Sequence, residues 1–216
     1  GNFPVKKGDK IAGMRVVPLV IEEEKMNQVK EAGGETPVFQ ILPFRKMKAG
    51  IVTTGSEVYY GRIQDSFTPV VVEKMEECGV EVLGNTVCND DSDMVTKAIR
   101  DWIEQGAEMV VCTGGMSVDP DDRTPLSIRH AADEVITYGA PVLPGAMFML
   151  AYAGEVPVMG LPGCVMYARR TIFDLVLPRI VAGERLGIDD FTVLGQGGLC
   201  LNCEHCTYPN CGFGKS

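Results

Sequence analysis

From Lys48 onward the chain alternates short apolar runs with segments of helical periodicity. "AGIVTTGSE" is an apolar run that breaks into Thr53-Thr54-Gly55-Ser56-Glu57. "DSFTPVVVEKMEECG" spaces its apolar residues as a helix does and stops at Gly79, and "VEVLGNTV" predicts a strand. "DSDMVTKAIRDWIEQG" predicts a helix entered through acidic residues and stopped by glycine, and "AEMVVCTGG" predicts a strand again. "EVITYG", "AMFMLAY" and "VPVMGLPG" predict three more strands, followed by one long apolar-faced helix over "CVMYARRTIFDLVLPRIVAG". Strands and helices joined by short connections predict an α/β fold, a three-layer sandwich around a mostly parallel sheet, spanning residues 48–186.

The flanks do not share this rhythm. In residues 1–47, "VKKGDKIAGMRVVPLVI" predicts short strands with turns, and "EEEKMNQVKEAGG" a brief polar helix. This segment is too small for a core of its own and is expected to be the remnant of a larger domain. Residues 187–216 form a cysteine-rich tail.

Three predicted strands end on polar glycine turns: Thr53-Thr54-Gly55-Ser56-Glu57, Thr113-Gly114-Gly115 and Leu161-Pro162-Gly163. In an open parallel sheet ligands bind outside the carboxyl ends of the strands, so one shared edge is expected to carry the site. Glycine lets a ligand approach the backbone, and successive N–H groups there can cradle an anion. Thr53, Thr54, Thr113 and Ser117 add hydroxyl donors, so a phosphate-bearing ligand fits.

Composition narrows the partners. The 216 residues are 45% hydrophobic and 23% charged, with a net charge of −9, which is ordinary for a soluble globular chain and unfavourable for nonspecific nucleic-acid binding. No apolar run is long enough to span a bilayer, so no membrane partner is expected, and the setting expected is cytoplasmic. The chain opens on Gly1 rather than Met, as a processed protein or a fragment of a longer one would.

Carboxylates cluster near the glycine turns. Asp65 opens a helix, Asp90 and Asp91 follow a strand, and Asp119, Asp121 and Asp122 follow Gly-Gly. Carboxylates beside a phosphate need a hard cation between them, and Mg2+ is commonly held by one or two carboxylates plus phosphate oxygens. Each acid also has a structural reading. Asp65 and one of Asp90, Asp91 and Ser92 suit helix N-caps, Asp119 to Asp122 suit a solvated turn, and Arg123 suits an ion pair.

"TTGSEVYYGRIQD", "NDD" before a helix, "TGGMSVDPDDRTP", the "LPG" after "AMFML" and the final helix together resemble the molybdopterin-binding domain of molybdenum-cofactor biosynthesis proteins. The resemblance covers residues 48–186. "TGSE" and "GGMSV" are similar to the molybdotransferase (MoeA-like) branch, and "DDRTP" to the adenylyltransferase (MogA-like) and CinA-type domains. "KKGDKIAG" resembles the piece preceding the domain in the molybdotransferases.

The resemblance implies catalytic roles for Asp65, Asp90 and Asp122. It implies contacts to pterin, phosphate or nucleotide from Thr54, Gly55, Glu57, Thr113, Gly114, Gly115, Met116, Ser117, Pro144, Gly145, Pro162 and Gly163. Cys164 and Val165 stand after Leu-Pro-Gly, where the family usually carries an amide and a proline. The implied ligands are molybdopterin with Mg2+ and ATP, AMP or molybdate. Other cofactor-maturation proteins are the implied partners, and a homo-oligomer is expected because family members commonly form dimers or trimers. The implied function is adenylyl transfer or molybdenum insertion; the alternative is a non-catalytic molybdopterin carrier or sensor.

The tail "CLNCEHCTYPNC" sets Cys200, Cys203, Cys206 and Cys211 in a C-x2-C-x2-C-x4-C run. Four thiols this close predict one metal centre, with His205 as a substitute ligand. Zinc usually takes two separated pairs, whereas successive two-residue gaps resemble an iron–sulfur ligand set; both remain open. Such a tail suits docking a partner, donating electrons or delivering sulfur. Cys78, Cys88, Cys112 and Cys164 are scattered, three of them in or beside apolar runs, and they read as small buried side chains.

Overall fold

The computed structural model describes residues 2–215 except 14, 16, 36, 38, 118, 120 and 121. It divides into two units, Pro4–Pro43 and the remainder, Gly1–Phe3 with Phe44–Ser216. In the smaller unit the regular element is helix α1, Glu23–Gly33, which buries none of its residues. The short strands expected before it do not form among the described residues. Among the described residues no neighbouring strand completes a ladder there, and side chains such as Val17, Leu19 and Val20 stay exposed, so their burial does not offset the entropy of extending the chain.

The larger unit opens with β1 (Lys48–Thr54), α2 (Ser56–Tyr59), α3 (Phe67–Glu77), β2 (Glu81–Cys88) and α4 (Ser92–Glu104). Next come β3 (Met109–Thr113), α5 (Thr124–Ala131), β4 (Glu134–Tyr138), β5 (Met149–Ala153) and β6 (Val156–Leu161). Helices α6 (Ile172–Val181) and α7 (Ile188–Thr192) follow. The six strands form one sheet in the order β2-β1-β3-β6-β5-β4. The β2-β1-β3-β6 half is parallel, while β5 runs antiparallel to both β6 and β4.

Both faces of the sheet are covered, which is why the central strands read as unbroken apolar runs. Along β1, Ile51 faces a cluster built with Val71 and Met75 of α3 and Phe173, Val176 and Leu177 of α6. Its neighbour Val52 faces the opposite cluster, with Val95, Ala98 and Ile99 of α4 and Ile128 of α5. Each such fully buried side chain contributes about 1.5–3 kcal/mol. Trp102 lies over Gly50, where a Cβ would stand 2.4 Å from its Cγ, and its indole N–H donates to the Ile51 carbonyl at 3.1 Å.

The long helix expected from Cys164 onward is two elements. A 3-10 turn, Gly163–Met166, ends at Tyr167, and α6 starts afresh after Thr171. The Thr171 hydroxyl accepts from the Phe173 N–H at 3.2 Å and Asp174 accepts from the Thr171 N–H at 2.8 Å. This reciprocal cap begins a new helix, and the Thr-x-x-Asp spacing was its signal.

The tail, expected as a separate segment from residue 187, packs into the larger unit. Phe191 and Phe213 are buried in the same cluster as α6, the Tyr208 hydroxyl donates to the Asp174 carbonyl at 2.9 Å, and Leu199 bridges Leu143.

Candidate functional site

The three glycine turns meet at one edge, as their strand positions predict. Thr53 pairs with Thr113 across β1 and β3, and Thr113 pairs with Leu161 across β3 and β6. The chain therefore leaves β1, β3 and β6 side by side through Gly55, Gly114 and Pro162-Gly163.

Below this edge the threonines are spent on holding the strand ends together. The Thr54 hydroxyl donates to the Thr113 carbonyl at 3.2 Å and shares a 3.0 Å hydrogen bond with the Thr124 hydroxyl. Thr113 donates to the Thr53 hydroxyl at 3.3 Å. Thr54 and Thr113 are buried, so these two expected ligand contacts are interstrand ties. Met116 is also buried, with its methyl against Gly160, which makes it core rather than pocket wall.

Two carboxylates pin the loops above the edge. Asp90, in the β2–α4 loop, accepts through Oδ2 from the Ser56 N–H at 3.0 Å and the Ser56 hydroxyl at 2.6 Å. Its neighbour Asp91 is the helix cap, accepting from the Asp93 and Met94 N–H groups. Asp122 accepts through Oδ2 from the Ser117 N–H at 2.6 Å, and its own N–H donates to the Asp119 carbonyl at 3.0 Å. Ser117 and Asp90 are exposed, and Gly55, Gly114, Gly115 and Asp122 are half-buried. Asp121 lies outside the described residues.

Asp65 stands differently. Its carboxylate accepts from the Phe67 N–H at 2.8 Å, the Thr68 N–H at 3.1 Å, Asn85 Nδ2 at 3.2 Å and the Thr53 hydroxyl at 3.3 Å, besides the Thr68 hydroxyl. Burial pushes the carboxyl up, but the bonds from Thr68, Phe67 and Thr53 together hold it below the usual 3.8. The structure thus realises the capping alternative for Asp65.

Glu57 is exposed on α2. Pro144 and Gly145 sit in the loop entering β5, at the same end of the sheet, since Met149 pairs with Gly160. Their contacts go to the start of α6: the Pro144 carbonyl accepts from the Ile172 N–H at 3.2 Å, and a Cβ on Gly145 would stand 2.6 Å from Ile172 Cγ2. Pro162 is buried and Gly163 exposed. Val165 is fully buried, so the residue in place of the family's proline serves the core.

Ser56, Thr124 and Tyr138 were missed by sequence reasoning. Ser56 lies inside "TGSE" and could have been found there. Tyr138 carries no local signal; only the β4–β5 hairpin brings its hydroxyl to the Ser117 carbonyl, 3.5 Å away. Burial and the Asp122 charge push the Tyr138 phenol up.

Among the described residues, no three His, Cys, Asp or Glu side chains are grouped to hold a metal ion. The four tail thiols expected to share one centre therefore do not converge on a single ion. Cys200 and Cys211 are half-buried, Cys203, Cys206 and His205 are exposed, and all four thiols are free. No described helix is long and apolar enough to cross a membrane.

Comparison with known proteins bears on the fold and the family. A CinA-like protein of Mycobacterium tuberculosis (strain ATCC 25177 / H37Ra) is 39% identical over 77 residues, 36% of this chain and 18% of that protein. A CinA-like protein of Mycobacterium sp. (strain MCS) is 35% identical over 90 residues, 41% of this chain and 21% of its own length. The matched stretches thus span about a fifth of these relatives.

The crystal structure of the molybdopterin biosynthesis enzyme MoaB from Thermus thermophilus superposes with a TM-score of 0.56 at 24% identity, covering 64% of this chain and 98% of that one. A molybdopterin biosynthesis protein from Mycobacterium abscessus gives 0.53 at 18% identity, covering 63% and 92%. At these identities the likeness is one of fold. The family profile described as "Probable molybdopterin binding domain" matches residues 50–182, more than half of the chain, and the protein belongs to that family.

Proposed function

We propose that the carboxyl edge of β1, β3 and β6 binds molybdopterin and transfers an adenylyl group from ATP to the pterin's terminal phosphate, releasing pyrophosphate. The observation that carries this reading is the pair of carboxylates pinning neighbouring loops. Asp90 and Asp122 each use Oδ2 to hold a backbone N–H, and Oδ1 of each accepts no hydrogen bond among the described residues. Mg2+ would be held by Asp90 or Asp122 together with phosphate oxygens, where it would offset the charge between carboxylate and phosphate. The donor set fits a cation completed by ligand oxygens rather than a cage made by protein alone. The Gly114-Gly115 turn and Ser117 are the groups offered to the phosphate, and positioning of this kind supplies most of the acceleration in such transfers.

A second reading, a carrier that binds the pterin without turnover, is favoured by Asp65. Its carboxylate accepts from the Phe67 and Thr68 N–H groups, the Thr68 hydroxyl and Asn85, which supports a holding role for one of the three acids. The test incubates the protein with molybdopterin, ATP and Mg2+ and follows pyrophosphate and adenylylated pterin, with a molybdate arm in parallel. Pyrophosphate matched by adenylylated pterin supports transfer. Tight pterin binding without turnover leaves the carrier, and no pterin binding removes both.

A further inference from the structure

The tail cysteines were not absorbed by the pterin edge, and their placement points elsewhere. Cys200, Cys203, Cys206 and Cys211, twelve residues from first to last, line one cavity of about 80 Å3 together with Arg169 and Arg170. The cavity wall is built into the fold. The Cys200 N–H donates to the Leu143 carbonyl at 2.8 Å, and Arg169 Nη1 donates to the Glu204 carbonyl at 2.8 Å. Arg170 lies over the Tyr208 ring at 5.0 Å while paired with Asp174 at 2.8 Å, and Cys200, Tyr208 and Cys211 pack on the main core.

Structural zinc usually takes two ligand pairs separated by a longer loop, whereas these four thiols follow one another at gaps of two, two and four residues, the crowding of an iron–sulfur ligand set. An iron–sulfur cluster interposes iron and sulfide between the thiolates, so its ligands surround a larger volume without meeting at one point. Four thiolates on a cluster carry net negative charge, which the Arg169 guanidinium on the cavity wall opposes, while Arg170 is already paired with Asp174 and Glu77.

We propose that Cys200, Cys203, Cys206 and Cys211 ligate an iron–sulfur cluster in this cavity, each thiol losing its proton to solvent on ligation. The segment that supplies Arg169 and Arg170 continues directly from the Pro162-Gly163 turn through the 3-10 turn at Gly163–Met166. The cluster therefore sits one short stretch of chain from the third glycine turn of the sheet edge. The proposal does not rest on adenylyl transfer.

The test purifies the whole protein without oxygen, reconstitutes it with ferric iron, sulfide and a thiol reductant, and measures iron, acid-labile sulfide and zinc per chain alongside the visible absorption. Iron with matching sulfide is expected, falling to background in Cys203→Ser and Cys206→Ser, whose exposed positions leave the fold intact. Cys164→Ser, outside the cavity, should retain the cluster. Stoichiometric zinc without sulfide would overturn the proposal, as would a metal-free product or iron retention unchanged by Cys203→Ser and Cys206→Ser.

Discussion

Gly114 and Thr54 approach so closely that a Cβ on Gly114 would stand 2.1 Å from the Thr54 carbonyl oxygen and 2.8 Å from its hydroxyl. Gly114 also has a φ of 83°, in the left-handed region that costs other residues about 1–2 kcal/mol. The contact is with backbone, which cannot swing away as a side chain tip does. Gly114→Ala should therefore destabilise by about 3 kcal/mol or more, combining that strain with an overpacked contact. Denaturant unfolding reads the loss, and an unchanged midpoint would show that the strand ends can part without cost.

Asp122 offers a separation of fold from turnover. Asp122→Asn keeps an oxygen to accept from the Ser117 N–H but removes the charge proposed to hold the cation. Stability should stay within about 0.5 kcal/mol while pyrophosphate release drops. Turnover equal to wild type would take Asp122 out of the site.

Acid sensitivity should trace partly to Asp65. Burial raises its pKa, but the bonds from Thr68, Phe67 and Thr53 outweigh that effect, so the folded value lies below the ordinary 3.8. A carboxyl lowered on folding stabilises fully above its unfolded pKa, and the contribution disappears as pH falls through the folded value. Unfolding free energy measured downward from pH 5 should therefore fall less steeply below about 3.8 in Asp65→Asn than in wild type. Asp190, where burial is likewise outweighed by the Gly187 N–H and Arg179, should keep some slope in the variant. Identical slopes would count against the capping role.

Asp174 joins α3 to α6. It accepts from Lys74 Nζ at 2.8 Å and Arg170 Nη1 at 2.8 Å, and its side chain is 4% exposed. Removing one partner of a buried pair leaves the rest uncompensated at about 3–5 kcal/mol, so Asp174→Ala, which leaves Lys74 without a carboxylate and Arg170 with Glu77 alone, should approach that range. Lys74→Ala should cost less, because Arg170 and the Thr171 N–H still satisfy the carboxylate. Thermal unfolding of the two variants checks the order, and a reversed order would contradict it.

Much of the site was legible because its signals are local. Gly55, Gly114 and Gly163 each follow an apolar run, and a strand's direction alone places its carboxyl end, so one shared edge could be deduced before any contact was known. The acids were legible as candidates but not as roles. A cap and a cation ligand are the same residue in sequence, and only the donors around Asp65, Asp90 and Asp122 separate them. The broken helix at Tyr167–Thr171 was misjudged because apolar periodicity runs through both parts, while the Thr171–Asp174 cap acts on backbone N–H groups that periodicity does not report.

By itself the sequence determined the α/β alternation, the two-sided burial of β1 and β3 and the glycine edge, since these follow from side-chain period and backbone sterics within a few residues. Tertiary structure alone decided that Thr54, Thr113 and Met116 serve the core, that Tyr138 reaches Ser117, and that four tail cysteines share a cavity with Arg169 and Arg170. Thr54 and Thr113 stand 59 positions apart and Ser117 and Tyr138 stand 21 apart, distances along the chain that only packing and long-range hydrogen bonding can close.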